Sequence, residues 1–288
     1  MKHYKIGKRF QWMCLLLISF FLIATIPVFN SIPVRAVTNG ETLLTYYGHS
    51  AFKLVTPSGK VLLIDPWITN PNNSTGKEDL AELDRVDLIL ISHGHFDHVG
   101  DAAQIAEKTG AKLVSTDDLG TALIEYGSYP QKFATPETRG NFGGTISLLD
   151  EEVQVNFVGA VHSSAITPLP DGSANIHNGG SPGGFIINVK DGPTVYHTGD
   201  TDLFSDMELI SQFHKVNLML VCIGDHATMG PERAARAVKL IAPDLAVPMH
   251  YGTFPLLTGT PEAFATALEE QNVDSELEVM QVHQTLKL

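Results

Sequence analysis

Cysteine is nearly absent: the 288 residues hold two, Cys14 and Cys222. Cys14 lies in an N-terminal apolar run, so Cys222 stands alone in the remainder and no intramolecular disulfide can form there. The fold must then be held by its core, with bound metal as the other available brace. Basic residues are scarce as well. Residues 1–36 hold five of the 19 Lys and Arg and none of the 32 Asp and Glu. The rest carries 14 basic against 32 acidic side chains, a net of −18. RNA or DNA would be repelled over most of that surface, which excludes nucleic acid as a partner. No internal repeat, low-complexity tract or Pro/Ser-rich linker divides the chain. Its longest apolar run, Met13 to Phe29, falls short of the roughly 20 residues that a spanning helix needs.

That run follows Lys2, Lys5, Lys8 and Arg9 and precedes a polar stretch ending Val34-Arg35-Ala36. Basic, apolar, then small is the order of a secretory signal over residues 1–36, with cleavage expected near Ala36. Retention of the run as a membrane anchor is the alternative, and either outcome places the domain outside the cytoplasm. Cys14 opens the run instead of closing it, which argues against a lipid-bearing cysteine. Residues 37–288 have the length of one large domain or two small ones. Hydrophobic residues make up 43% of the chain, enough for a core.

The patterning is mixed α/β. Phe52–Thr56 and Val61–Asp65 flank Pro57-Ser58-Gly59-Lys60 as a hairpin, and Phe185–Val189 and Val195–His197 flank Lys190-Asp191-Gly192-Pro193 as another. Val86–Ser92 is an unbroken apolar run of strand length, expected for a strand covered on both faces. Lys112–Ser115, the alternating Val153–Val158, Leu218–Ile223 and Leu245–Met249 add further strands. Helices are expected over Asp101–Thr109, capped by Gly110, and over Leu203–Phe213, Pro231–Ile241 and Pro261–Glu270. Strands interleaved with helices imply a layered domain with helices outside packed sheets.

Histidine is the anomaly, with 11 of the 12 beyond residue 36. The stretch Ser92 to Asp101, SHGHFDHVGD, puts three imidazoles and a carboxylate within six residues, directly after the buried run. Alternate residues of an extended chain point the same way, so His93 and His95 can reach one ion. Asp97 and His98 follow at the turn and can face a second. Neutral imidazole and carboxylate suit zinc, and also manganese or iron.

His-x-His-x-Asp-His after a buried strand resembles the signature of the metallo-β-lactamase superfamily. Ala160-Val161-His162-Ser163-Ser164, His197-Thr198-Gly199-Asp200-Thr201 and Pro248-Met249-His250-Tyr251-Gly252 resemble its later motifs, in order. Tyr47-Gly48-His49-Ser50, Ile64-Asp65-Pro66-Trp67 and the segment Ile223 to Pro255 resemble its metal-dependent hydrolase subgroup. That subgroup is similar to ascorbate-6-phosphate lactonases and, more distantly, to phospholipases acting on N-acylphosphatidylethanolamine. His226-Ala227 departs from the Asn-Phe expected there.

The resemblance implies an αββα four-layer sandwich with two metal ions at one edge. His93, His95 and His162 would hold one ion and Asp97, His98 and His250 the other, with Asp200 bridging. Zinc is the first expectation and manganese or iron the alternatives. Two divalent ions against two carboxylates leave about two positive charges, so an acidic protein can carry an electropositive site. The implied reaction is hydrolysis of a small-molecule ester, a lactone or phosphodiester foremost, by metal-bound hydroxide. Catalytic roles fall to Asp97, Asp200 and His49, the last as a pocket residue that binds or protonates substrate. Bridging by Asp200 matches the thioesterase and lactonase pattern rather than that of the β-lactamases. The superfamily's ribonucleases for long RNA carry an inserted domain for which no space exists here. An iron-based oxidoreductase and a non-catalytic binding protein are the competing classes. Asp65 is expected to buttress a ligand imidazole, and Asp225 and His226 to border the pocket. His197 is expected to point away from the ions, Cys222 to be core, and His177 to lie in a solvated loop.

Overall fold

The computed structural model describes residues 40–166 and 176–288. The expected signal or anchor over residues 1–36 lies outside the described residues. Among those described, no helix is long and apolar enough to cross a membrane.

The first half runs β1 (Leu43–Gly48), β2 (Ala51–Val55), β3 (Val61–Ile64), α1 (Gly76–Glu82), β4 (Leu88–Leu90), α2 (Phe96–Val99), α3 (Ala102–Thr109), β5 (Lys112–Thr116), α4 (Asp117–Glu125) and β6 (Arg139–Gly140). The second runs β7 (Thr145–Leu148), β8 (Val153–Gly159), β9 (Ala165–Ile166), β10 (His177–Asn178), β11 (Gly183–Val189), β12 (Thr194–His197), α5 (Met207–Phe213), β13 (Leu218–Cys222), α6 (Pro231–Ile241), β14 (Leu245–Met249), α7 (Pro261–Glu270), β15 (Glu276–Leu277) and β16 (Thr285–Lys287). Two seven-stranded sheets result, ordered β16-β1-β2-β3-β4-β5-β6 and β15-β14-β13-β12-β11-β8-β7. Each is mixed: β1 to β3 pair antiparallel and β3 to β6 parallel, while β8, β11 and β12 pair antiparallel and β12 to β15 parallel.

Alternation along the strands builds two cores. Leu62, Ile64, Leu88 and Leu90 of the first sheet join Val155, Phe157, Phe185 and Ile187 of the second in one buried cluster. The intervening Val61, Leu63, Ile89 and Ile91 turn the other way, onto Ala102, Ile105 and Ala106 of α3 and Leu119 and Leu123 of α4. A strand covered on both faces has no polar positions, which is why Val86–Ser92 reads as a continuous apolar run. On the far side, Ala234, Ala235 and Val238 of α6 and Phe264 of α7 complete the αββα order.

Local signals act where expected. Gly110 takes the left-handed conformation (φ 78°) and its N–H caps α3 on Ala106 O, and Pro231 occupies the first turn of α6. The helix expected over Leu203–Phe213 instead starts at Met207. Asp202 Oδ1 accepts from Leu203 N at 2.7 Å and holds the preceding residues in a turn. His177 is not a free loop residue either: it pairs in β10 and stacks on Tyr126 with ring centroids 3.7 Å apart.

The strand ends approach closely at the edge that carries the histidines. A Cβ on Gly224, just past β13, would collide with the carbonyl oxygen of His250, just past β14. Gly224→Ala is therefore expected to cost about 1–3 kcal/mol of stability, the range for overpacking, read by urea unfolding. A loss under about 0.5 kcal/mol, the range of neutral surface changes, would contradict the tight apposition.

Candidate metal centre

The candidate residues sit just beyond strand ends. His49 follows β1, Asp65 follows β3, His93 to His98 follow β4, and His162, Asp200 and His250 come after β8, β12 and β14. Three adopt left-handed backbone: His49 (φ 54°), Asp65 (φ 45°) and His250 (φ 59°). Such conformations cost a non-glycine residue about 1–3 kcal/mol and persist only where the surroundings over-determine them. Here they do. His49 O accepts from His250 N at 2.8 Å and from Tyr46 Oη at 3.1 Å, and Asp65 N donates to Leu90 O at 2.9 Å.

Two groups of donors converge. His93, His95, His162 and Asp200 form one, and His49, Asp97, His98 and His250 the other, with donor atoms in each group all within 4.8 Å of one another. His93 Nε2 lies 2.9 Å from His95 Nδ1, which is 3.3 Å from His162 Nε2. Four donors at zinc–ligand distance in a tetrahedron stand about 3.3 Å apart, so the spacing fits one cation. Asp200 faces both groups. Its Oδ2 lies 3.6 Å from His162 Nε2, 3.9 Å from His93 Nε2 and 3.0 Å from His250 Nε2, while Oδ1 is 3.2 Å from His98 Nε2. Yet the buried His98 Nε2, His250 Nε2 and Asp200 Oδ1 make no hydrogen bond. Buried polar atoms are normally paired. Donors aimed at a common space without bonding one another are what a cation between them requires.

A surrounding layer orients these groups. Asp65 is fully buried and accepts from Ser92 N at 2.8 Å, Ser92 Oγ at 2.6 Å and His98 Nδ1 at 2.7 Å. The last bond fixes the His98 tautomer and turns Nε2 toward Asp200. Thr253 does the same for His49. Its Oγ1 accepts from Asn72 Nδ2 at 3.1 Å. Its hydroxyl lies 2.8 Å from His49 Nδ1, which accepts from it. Asp97 is ionised and can only accept, so His49 Nε2–H donates to its Oδ2 at 3.1 Å.

Charge follows burial and neighbours. Burial lowers His93, His95 and His162 below the ordinary histidine value, which leaves neutral imidazoles. Burial and the adjacent His250 take His49 down to about 4. Burial also works to lower His98 and His250, but Asp200 outweighs it, raising His98 well above its usual range and His250 to about 9. Burial would raise Asp97 and Asp200, yet their histidine contacts hold both well below the carboxylate range. A cation entering the second group therefore displaces protons from His98 and His250.

All seven residues assigned as ligands from the motifs come together, and His49 joins the Asp97 group as a fully buried side chain. His197 is outside both groups: it accepts from Gly199 N at 3.1 Å and its Nε2 reaches Ser50 O at 3.3 Å. Asp225 and His226 are exposed, on a turn with φ of 60° and 50°. Cys222 is fully buried. Sequence reasoning missed Ser92, Thr253 and Ser164, whose Oγ accepts from Gly94 N at 3.0 Å. Adjacency was the available signal, since each lies within three residues of a motif histidine.

Asp65→Asn keeps the shape and removes the charged acceptor for His98 Nδ1–H. Affinity for zinc added at the His98 group is expected to fall about 10- to 100-fold, read by competition titration with a chelating dye. Equal affinity in wild type and variant would show that Asp65 does not orient the site.

A family model described as a beta-lactamase superfamily domain matches residues 60–251. A UPF0173 metal-dependent hydrolase of Thermodesulfovibrio yellowstonii is 54% identical over 249 residues, which cover 86% of this chain and 93% of that protein. A second, from Anaeromyxobacter, is 52% identical over 232 residues, covering 80% and 82%. Igni18, a metallo hydrolase of the hyperthermophilic archaeon Ignicoccus hospitalis, matches in structure with a TM-score of 0.73 at 37% identity, covering 86% of this chain and 98% of its own. On that match and those identities, the chain belongs to the metallo-β-lactamase superfamily, among its UPF0173 metal-dependent hydrolases, and is a metal-dependent hydrolase.

Proposed function

We propose that the chain hydrolyses an ester bond of a small molecule, a lactone or phosphodiester foremost, using two divalent ions. Zinc is the first choice, with manganese or iron as alternatives. Asp200 carries this reading, because its Oδ2 faces His93 and His162 of one group and His250 of the other, while its Oδ1 faces His98. His93, His95 and His162 would hold one ion and Asp97, His98 and His250 the other, with Asp200 between them and His49 adjoining the second. Bound there, the ions would polarise the reacting oxygen and bring the pKa of a water molecule down toward about 7.

The chain's own groups do the rest. The Asp97 side chain is 13% exposed against 3% for Asp200, so Asp97 is the carboxylate that an entering water or substrate meets. His49, its Nδ1 held by the Thr253 hydroxyl, directs its Nε2–H to the same space. Asp97 can thus receive the proton that water gives up, while His49 can give its Nε2 proton to the leaving alcohol and regain one from Asp97. The buried imidazoles around them exclude bulk water and keep the site in a low dielectric, where these interactions are strong.

Protein purified without added metal and reloaded with zinc, manganese or iron is expected to hold close to two ions per chain. Ester hydrolysis should disappear on chelation and return on reloading. Asp200→Ala should cost more than about a hundredfold in turnover, beyond the range for residues that only orient ligands, and should lower metal content. His49→Ala should cost less, because Asp97, His98 and His250 remain. A stoichiometry that stays below one, or metal loss in His49→Ala but not in Asp200→Ala, would overturn the binuclear arrangement.

A further inference from the structure

Trp67 and Phe254 come from two loops, Phe96 opens α2, and the three meet beside the second donor group. Trp67 lies two residues past Asp65, Phe96 stands between His95 and Asp97, and Phe254 follows Thr253. Ring centroids are 5.5 Å apart for Trp67–Phe96, 5.9 Å for Trp67–Phe254 and 6.4 Å for Phe96–Phe254. The His49 ring lies 5.4 Å from Trp67 and 6.0 Å from Phe254, edge-on to each. Phe52, Phe185 and Phe264, which pack in the core, are fully buried. Trp67, Phe96 and Phe254 are left partly open, and Leu256, 63% exposed, extends the apolar surface in the same turn as Phe254.

The wall is also rigid. Asn70 Nδ2 donates to Trp67 O at 2.7 Å, and Asp101 N donates to Pro66 O at 3.0 Å. Gly100 (φ 40°) lets the end of α2 press against the Trp67 backbone, where a Cβ would collide. A partly open apolar surface held rigid at a reaction centre is characteristic of binding, since water covers it at a cost.

We infer that these three rings bind the hydrocarbon part of the substrate, so that the ester is a carboxylic ester or lactone bearing an alkyl or aryl group. The inference rests on the ester-hydrolase reading above. Charge supports the apolar occupant. Among the described residues, the cation–ring contacts fall on Tyr47 and Phe133 and not on this trio. Arg233, tied to the segment that follows Asp200, is already paired with Asp202 at 2.8 Å. The rings therefore offer no counter-charge of their own to an ionised substituent.

The test uses zinc-loaded full-length protein and p-nitrophenyl acetate, butyrate and hexanoate. kcat/KM is expected to rise about two- to fourfold per added methylene, the factor that partial to full burial of a CH2 gives. Phe254→Ala should flatten that slope, and Phe254→Leu should keep part of it. A flat series in wild type, or an unchanged slope in both variants, would overturn the proposal. If no ester is hydrolysed, the reaction assignment fails and binding decides the wall by itself. Trp67 and Trp12 are the two tryptophans of the chain. Octanoate should then shift tryptophan emission in wild type but not in Trp67→Phe, and absence of that shift would refute the wall.

Discussion

A single buried carboxylate, Asp200, lies between two groups of imidazoles and faces both. A carboxylate taken out of water must be compensated, because an unpaired buried charge costs several kcal/mol even after relaxation. Hydrogen bonds do not supply all of that here, since Asp200 Oδ1 and the facing His98 and His250 nitrogens make none. The protons that Asp200 holds on the facing His98 and His250 supply it in the metal-free chain, and cations in the shared space would replace them, so the fold works to keep these donors convergent. Asp65 holds His98 by its far nitrogen, Thr253 holds His49, and the His49 carbonyl accepts from His250 N across the gap between the sheets. Left-handed backbone at His49, Asp65 and His250 is the conformational cost of that convergence.

The sandwich explains how such distant residues meet. Each sheet is antiparallel over its first strands and parallel over its last, so loops from several strand ends emerge along one edge. Apolar side chains on both faces of β3 and β4 lock the first sheet between α3 and α4 on one side and the second sheet on the other. The donors therefore rest on strands that cannot shift without opening two cores. A site built on such rigid ends holds its geometry before metal or substrate arrives.

Much of this was legible in the sequence where the determining interaction is local. His93, His95, Asp97 and His98 fall within six residues, so spacing alone brings them together, and both-face burial left its mark as the run Val86–Ser92. Gly110 and Pro231 marked helix boundaries through their own backbone chemistry. Where a partner lies far along the chain, spacing was silent, and His162, Asp200 and His250 were legible only through the resemblance of their motifs. His49 reaches the Asp97 group only because β1 ends beside the loop that carries His250, some two hundred residues on. Its support from Thr253 and Asn72 has no local trace. The aromatic trio was invisible for the same reason, since Trp67, Phe96 and Phe254 are unremarkable singly. The start of α5 was misplaced because an Asp202 side chain, and not helix propensity, decides it.

The central claim is that Asp200 joins two adjacent cation sites. Anomalous diffraction from a crystal of the zinc-loaded protein, collected on both sides of the zinc edge, tests it most directly. Two peaks about 3.5–4 Å apart, the separation of paired catalytic metals, are expected with one oxygen of Asp200 or each of its oxygens touching them. A single peak, or two peaks with Asp200 bound to one alone, would contradict the account.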